Sequence, residues 1–218
     1  MKKIADCHLY GIIDLGCVAP ADVTDVAEKM IRGGIDILQL RAKKYTEKDT
    51  IWFAEQLLPL TREGKVPLLI NDFPEINVEA GADGAHVGQD DLSLRETRNL
   101  IGEKMLLGKS THSIAQAVEA EREGADYIGF GPLFATPTKP DYKPIGTGEI
   151  ARVHELVKIP IFCIGGIKRE NLASVLDAGA RRVVIVSGIL KAADIEGYTR
   201  DAKAMVQEFK KSELGFRK

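Results

Sequence analysis

Charged, amide and glycine residues follow short apolar runs at several points of this 218-residue chain. Eight such runs end within the chain, and seven of these ends carry a cluster that could do chemistry: Gln39-Leu40-Arg41-Ala42-Lys43, Asn71-Asp72, Gly88-Gln89-Asp90-Asp91, Lys109-Ser110, Thr136-Pro137-Thr138-Lys139, Gly165-Gly166 and Ser187-Gly188. If the runs are parallel strands of a closed α/β barrel, every cluster lies on the face where such folds place active sites. This mixture of groups suits a phosphorylated substrate and a divalent metal.

The first cluster predicts a strand end that binds a diphosphate. Gln39, Arg41 and Lys43 alternate along the chain, so they share one side of an extended segment. Arginine offers a planar fork of donors and lysine a compact charge, and two cations with an amide can hold a diphosphate. The simpler alternative is a strand end that carries solvated charges.

Two acidic clusters predict a Mg²⁺ site. Asp72 follows the third run and Asp91 the fourth, and these two strands are neighbours in a barrel. Mg²⁺ takes hard oxygen ligands and keeps substrate phosphate and water in its shell, so two aspartates suffice when a diphosphate completes the octahedron. The alternatives are a helix cap for Asp72 and, for Asp91, a charge that favours a helix dipole.

The last two runs predict a second anion site, built largely from backbone. Gly165-Gly166 and Ser187-Gly188 follow runs seven and eight, where barrels frequently bind a phosphate through N–H groups. Two tight turns would also explain these glycines. Thr136-Pro137-Thr138-Lys139 lies in the long irregular stretch 130–147, where hydroxyls and an ammonium flanked by prolines resemble a preordered lip over a ligand. A plain surface turn is the alternative there.

The histidines give a weaker signal. His86 lies inside the fourth run and is predicted to be a barrel residue with a hydrogen-bond partner, whereas His112 follows the fifth run on the predicted active face. One anion site with cations and a metal, and a second site of backbone and serine, fit a reaction that joins two phosphorylated small molecules and releases diphosphate.

The elements that must position these residues alternate between strands and helices. The apolar runs lack clean alternation, as in strands buried on both faces of a parallel sheet, and cover 9–13, 35–40, 68–71, 84–87, 105–108, 127–129, 161–164 and 183–186. Helical patterns cover 22–32, 46–61, a segment opening at Ser93, 114–123, 170–178 and 195–209. A repeated glycine precedes four of the strands, at Gly34, Gly81, Gly124 and Gly179, where it can end a helix. We therefore predict a single (β/α)8 TIM-barrel domain over 1–218.

Composition narrows the functional class. A formal net charge of −2 argues against nonspecific nucleic-acid binding, which needs a strong basic excess. No apolar stretch approaches the ~20 residues that cross a bilayer, and the amino terminus lacks the apolar region of a signal peptide. Three cysteines, Cys7, Cys17 and Cys163, have no metal-binding spacing. We expect a soluble, cytoplasmic protein without nucleic-acid or membrane partners.

Several of these segments resemble the thiamine phosphate synthase family, over nearly the full barrel from Leu9 to beyond Gly188. The most specific strings, in order, are Gln39-Leu40-Arg41-Ala42-Lys43, Leu69-Ile70-Asn71-Asp72, Gly84-Ala85-His86-Val87-Gly88-Gln89-Asp90-Asp91-Leu92, Ser110-Thr111-His112-Ser113, Gly131-Pro132-Leu133-Phe134-Ala135-Thr136-Pro137-Thr138-Lys139 and Ile164-Gly165-Gly166-Ile167. The resemblance implies a transferase that joins 4-amino-2-methyl-5-hydroxymethylpyrimidine diphosphate to a thiazole phosphate. The implied route is dissociative and Mg²⁺-assisted, and the resemblance is compatible with a homodimer.

The resemblance also implies a role for each matching residue. Binding of the pyrimidine diphosphate is implied for Gln39, Arg41, Lys43, Asn71, Ser110 and Lys139, of which Arg41, Lys43, Ser110 and Lys139 take part in catalysis. Asp72 and Asp91 would hold Mg²⁺. Thr136 and Thr138 would contact the thiazole phosphate or its carboxylated form, whose phosphate would be bound by Gly166, Val186 and Ser187.

Departures from the family pattern leave two other functions open. Phe73 stands where the family often has arginine, which would weaken diphosphate binding, and Ala42 replaces a common glutamate. Lys109 replaces a small apolar residue and would partly compensate for Phe73. One alternative is a thiazole tautomerase that uses His112 as a proton shuttle. The other is a noncatalytic regulator that binds a phosphate ligand. Retention of the aspartates and lysines favours the synthase.

Overall fold

The fold is a closed barrel of parallel strands. The computed structural model describes residues 2–136 and 143–215. Within these residues eight strands pair in chain order, and β8 closes the barrel against β1. The strands are β1 Leu9–Asp14, β2 Ile37–Arg41, β3 Leu68–Asn71, β4 Gly84–Val87, β5 Leu106–Thr111, β6 Tyr127–Phe130, β7 Ile161–Cys163 and β8 Val183–Ile185. The predicted TIM barrel is therefore confirmed.

Helices cover the outside of the barrel. They are α1 Val23–Arg32, α2 Glu47–Glu63, α3 Pro74–Ala80, α4 Leu94–Ile101, α5 Ile114–Arg122, α6 Ile150–Leu156, α7 Arg169–Asp177, α8 Ser187–Leu190 and α9 Ile195–Gly215, with short 3-10 turns at Ile4–Asp6 and Pro20–Asp22. Side chains cap three of the predicted starts, because Thr46, Ser93 and Ser113 each accept a hydrogen bond from the backbone N–H three residues later. No helix in the described segments is long and apolar enough to span a membrane.

The strands are buried on both faces, which explains their unbroken apolar character. One set of alternate side chains, including Tyr10, Leu69 and Phe162, packs inside the barrel. The other set, including Leu38 and Leu40, packs against the helices. The strand period of two residues therefore decides which side chains reach the barrel interior and its mouth.

The repeated glycines act as predicted. Gly34, Gly81, Gly124 and Gly179 have φ angles of 92°, 69°, 89° and 103°, the left-handed region in which glycine carries no Cβ penalty. Each lies shortly after the helix that precedes a strand. The repeat is therefore a helix-ending signal that returns the chain to the barrel.

One predicted boundary is wrong in a way that affects the site. The fifth strand was predicted to end at 108, but β5 continues to Thr111. Lys109 and Ser110 are therefore strand residues, and their side chains point to opposite sides of the sheet.

A buried carboxylate ties together the opposite, amino-terminal end of the barrel. Asp36 is 2% exposed, accepts hydrogen bonds from the backbone of His8 and Leu9, and pairs with Lys2 and Lys203. Burial acts to raise the pKa of Asp36, but hydrogen bonds from both lysines and the backbone outweigh it and hold the pKa below its usual value.

We expect Asp36→Asn to lower the free energy of unfolding by about 2–4 kcal/mol at neutral pH, because it leaves the largely buried ammonium of Lys203 without its charged partner. Since the folded pKa is lowered, this contribution is complete above the unfolded pKa of about 3.9 and is lost as pH falls through the folded value. Urea denaturation measures the change. Asp25→Asn, at an exposed pair with Lys29, is the matched control and should change stability by less than about 0.5 kcal/mol. Equal effects of the two substitutions would contradict the prediction.

Candidate active site

Most of the predicted site residues meet at one cavity in the mouth of the barrel. Its wall includes Gln39, Arg41, Asn71, Ser110, Thr136, Gly166, Val186 and Ser187, which come from six different strands or the loops after them. Lys43, Asp72 and Asp91 are not part of the wall, but Asp72 directly follows Asn71. Thr138 and Lys139 lie outside the described residues.

Two carboxylates and a lysine come together beside this cavity. Lys43 Nζ lies 3.0 Å from Asp72 Oδ2. Burial raises the pKa of Asp72, the charge of Asp91 adds to the increase, and the hydrogen bond from Lys43 opposes it. The two aspartates therefore face each other, as their positions on neighbouring strands predicted. Within 2–136 and 143–215, no group of three or more His, Cys, Asp or Glu side chains is arranged to hold a metal.

The loops fix both aspartates through the backbone. Asp72 has φ +70°, a left-handed conformation that is uncommon for a residue with a side chain, and its N–H donates to His86 O at 2.9 Å. Asp91 Oδ2 accepts the N–H of Gly88 at 2.6 Å. Backbone strain of this kind clusters at functional sites, which agrees with a binding role for Asp72.

Lys109 supports the same loop from outside the barrel. Its ammonium donates to Gly88 O at 2.6 Å and its side chain is only 8% exposed. Burial lowers the pKa of Lys109, and the carboxylates of Asp91, Glu123 and Asp90 act in the opposite direction. The expectation that Lys109 compensates for Phe73 at the diphosphate site finds no support, because the Lys109 side chain lies on the side of β5 opposite Ser110 and its ammonium donates to Gly88 O.

Gln39, Arg41 and Lys43 differ in how far their side chains are exposed to solvent. Gln39 is 1% exposed on the cavity floor, the Arg41 side chain is 14% exposed, and that of Lys43 is 48% exposed. The exposure of the three side chains therefore increases from the cavity floor towards solvent. Of the three, only the cations Arg41 and Lys43 are exposed enough to meet a charged ligand that enters from solvent.

Asp14 is a site residue that sequence reasoning missed. It lies at the end of β1, the strand to which no chemical cluster was assigned. In the pairing of β1 with β2, Asp14 is directly opposite Arg41. Arg41 Nη1 donates to Asp14 Oδ2 at 2.7 Å, and Asp14 Oδ1 accepts the N–H of Gly16. Among the described residues Arg41 Nε is buried and has no hydrogen-bond partner. Asp14 thus holds the guanidinium in place while a donor remains available for a ligand.

The cavity floor is a row of hydrogen-bonded polar groups. Gln39 Nε2 donates to Tyr10 OH at 2.8 Å, and Tyr10 OH lies 3.2 Å from Tyr127 OH. Tyr127 OH lies 2.9 Å from His86 Nδ1, and His86 Nε2 lies 2.9 Å from Ser110 Oγ. The prediction that His86 is a barrel residue with a partner is confirmed. Burial raises the pKa of both tyrosines, so their hydroxyls stay protonated.

The glycines after β7 are required by the backbone conformation and by close packing of the turn. Gly165 and Gly166 have φ angles of 99° and 65°. A Cβ on Gly166 would lie 2.7 Å from Phe134 Cβ and 2.9 Å from Ala135 O, so the loop after β6 packs directly against this turn. Gly165 O accepts the N–H of Phe134 at 3.0 Å. The conformation and packing of this turn therefore explain both glycines without a phosphate, although Gly166 also lines the cavity.

His112 lies in the cavity wall, and its Nδ1 is hydrogen-bonded to Gly131 O.

The two residues that depart from the family pattern at positions 42 and 73 lie outside the cavity wall. Ala42 is buried, and Phe73, 39% exposed, is the residue before the first turn of α3. Neither residue lines the cavity.

Comparison with known proteins identifies close relatives. The sequence model of the family described as thiamine monophosphate synthase matches residues 9–189. A thiamine-phosphate synthase from Shouchella clausii is 42% identical over 202 residues, covering 92% of this chain and 97% of that protein. One from Chloroflexus aurantiacus is 41% identical over 207 residues, covering 94% and 95%. The solved structure of thiamine phosphate pyrophosphorylase from Pyrococcus furiosus has a TM-score of 0.86 at 28% identity and covers 93% of this chain and 96% of that chain.

Proposed function

The chain belongs to the thiamine monophosphate synthase family, and on that premise we propose that it joins a hydroxymethylpyrimidine diphosphate to a thiazole phosphate, or its carboxylate, with release of diphosphate. Its relatives are named as synthases, so it is an enzyme of the transferase class. The grouping of Lys43, Asp72 and Asp91 beside a cavity that contains Arg41 carries the proposal. Cations and carboxylates placed together are what a metal-bound diphosphate requires.

The donor set fits Mg²⁺. Asp72 and Asp91 supply hard oxygen ligands, and Mg²⁺ commonly takes one or two carboxylates and completes its shell with substrate phosphate and water. When bound, the ion would neutralise charge on the diphosphate and make it a better leaving group. Lys43, already paired with Asp72, lies where it would contact the same diphosphate.

The proposed reaction begins with the diphosphate. The C–O bond between the pyrimidine methylene and the diphosphate breaks first, and the diphosphate leaves with the electron pair. The thiazole nitrogen then captures the pyrimidine cation and forms the new C–N bond. Arg41 and Lys43 offset the charge that develops on the leaving group, and Lys139 would assist its departure.

The rest of the cavity binds and orients the two substrates. Gln39, Asn71 and Ser110 would hold the pyrimidine diphosphate, and Thr136 and Thr138 would contact the thiazole partner. Gly166, Val186 and Ser187 would bind the thiazole phosphate and set its nitrogen against the reacting carbon, which removes much of the entropic barrier. Their place in or next to a single cavity supports this division, except for Thr138, which lies outside the described residues.

We expect the purified protein to form thiamine phosphate and diphosphate in equal amounts when both substrates and Mg²⁺ are present, and to lose this activity when EDTA removes the metal. Chromatography with mass detection measures both products. Absence of metal-dependent product would refute the proposal.

The same samples test the two competing functions. His112 lies in the cavity wall, so a tautomerase remains the main competitor. A tautomerase would isomerise the thiazole substrate alone, without the pyrimidine, and would lose this activity in His112→Asn. A noncatalytic regulator would bind the phosphorylated ligands and form no product.

A further inference from the structure

The hydrogen-bonded row on the cavity floor has a defined direction. Each tyrosine hydroxyl carries one hydrogen, and neutral histidine carries one hydrogen on one of its two ring nitrogens. Gln39 Nε2 donates to Tyr10, so the hydroxyl hydrogen of Tyr10 is available to Tyr127. The hydrogen of Tyr127 then goes to His86 Nδ1, and His86 donates from Nε2 to Ser110 Oγ.

The opposite direction leaves a buried donor without an acceptor. If Ser110 donated to His86, then His86 would donate to Tyr127 and Tyr127 to Tyr10. The hydroxyl hydrogen of Tyr10 would then have no acceptor among the described residues, because its other neighbour, Gln39 Nε2, is itself a donor. Tyr10 is 2% exposed, and an unsatisfied buried donor costs about 1–3 kcal/mol. A doubly protonated His86 would also donate from Nδ1 to Tyr127, so it would likewise leave one tyrosine hydroxyl hydrogen of the row without an acceptor.

We propose that this row holds neutral His86 in the tautomer protonated at Nε2 and thereby makes the Ser110 hydroxyl a hydrogen-bond donor to the substrate. Because Ser110 Oγ accepts from His86, its own hydrogen is left for the cavity, whose wall Ser110 forms. The group it meets must be an acceptor, such as an unprotonated nitrogen of a heteroaromatic ring. Tyr10, Tyr127 and His86 are then positioning residues that select the ring.

The inference rests on the proposed function, since an aminopyrimidine ring provides such a nitrogen and the diphosphate does not. It also accounts for the different exposures of Gln39, Arg41 and Lys43, because ring recognition at the buried floor and anion recognition nearer to solvent use different residues. Binding of the ring and of the diphosphate should therefore respond to different substitutions.

The tautomer is tested directly on the wild-type protein. In 15N NMR spectra of histidine-labelled protein, we expect His86 Nε2 to be protonated and Nδ1 to be unprotonated, with the signals assigned by their loss in His86→Gln. Protonated Nδ1 with unprotonated Nε2 would overturn the inference. This measurement needs no substrate, so it stands whether or not the proposed function holds.

Binding tests the consequence for the substrate. In Tyr127→Phe, His86 Nδ1 loses its donor, and Ser110 can then turn its hydrogen towards the imidazole of His86 instead of the substrate. We therefore expect calorimetry with Mg²⁺ to give a Kd for the pyrimidine diphosphate raised roughly five- to tenfold. The Kd of inorganic diphosphate should change less than twofold. Tyr45→Phe, which removes a tyrosine hydroxyl outside the row, is the matched control. Equal changes for both ligands, or none, would overturn the inference.

A double-mutant cycle separates positioning from packing. Because Tyr127 acts through Ser110, Tyr127→Phe should add little to the effect of Ser110→Ala on pyrimidine diphosphate binding. Additive losses would mean that Tyr127 acts independently, which contradicts the proposal. If wild-type protein binds no pyrimidine diphosphate at all, the proposed function fails, and the NMR result then reports on the row alone.

Discussion

Asp91→Ala is expected to lower kcat/KM for the coupling reaction by about 10³-fold, the largest effect among the described residues. The carboxylate of Asp91 faces that of Asp72, and the proposed Mg²⁺ has no third carboxylate ligand among the described residues. Loss of metal-assisted charge stabilisation is worth several kcal/mol, and about 1.4 kcal/mol corresponds to a tenfold change in rate. Steady-state kinetics over a Mg²⁺ titration measures the loss.

Two further variants separate charge from loop structure. Asp90→Ala removes the same charge from the neighbouring exposed position and should retain most of the activity. Asp91→Asn keeps an oxygen that can accept the N–H of Gly88, so it preserves the loop while it weakens the metal site. Full activity in Asp91→Asn would show that the loop contact matters and the charge does not. Activity in Asp91→Ala above a tenth of wild type would reject the metal role.

The barrel could be predicted from sequence because its signals are local. Strands 68–71 and 84–87 were predicted to the residue, since each is a short buried run that ends at a polar or glycine residue. Helices with a side-chain cap, such as those that start after Thr46 and Ser93, were found with small boundary errors. The missed helices, α3, α6 and α8, are four to seven residues long and begin without a side-chain cap, so tertiary packing fixes them.

The site was predictable only to the level of which residues meet. The placement of strand ends on one face brought Arg41, Asn71 and Ser110 to a common cavity. The partner of Arg41 could not be foreseen, because the pairing with Asp14 depends on the register between β1 and β2. The orientation of Lys109 was missed for a different reason. The predicted end of β5 was three residues too early, so Lys109 was not recognised as a strand residue whose side chain points outward.

The floor of the cavity shows the same limit in a different form. Tyr10 and Tyr127 read as core residues of apolar runs, and their hydroxyls meet only because β1 and β6 face each other across the barrel. Nothing in local sequence encodes a contact across the interior. Polar groups buried within strands are therefore the residues most easily underestimated by sequence reasoning, and here they adjoin the predicted substrate site.

Arg41→Lys is expected to lower kcat/KM by about 10²-fold while preserving the fold. Lysine keeps the charge but cannot donate to Asp14 and to a diphosphate in the same fixed plane, whereas the guanidinium binds Asp14 through Nη1 and leaves Nε available. Most of the loss should appear as a higher KM for the pyrimidine diphosphate, because Arg41 binds its anionic part. Arg32→Lys, at an exposed ion pair, is the matched control.

The role of Asp14 follows from the same pair. Asp14→Asn should lower kcat/KM by about tenfold, since the guanidinium loses the charged partner that orients it. If Asp14 acts only through Arg41, the double variant Asp14→Asn/Arg41→Lys should be no more impaired than Arg41→Lys alone. Multiplicative losses in the double variant would instead mean that Asp14 contributes to the reaction by a route independent of Arg41. Calorimetric titration with inorganic diphosphate should show the same nonadditive pattern, because the pair acts on the anion and not on the ring.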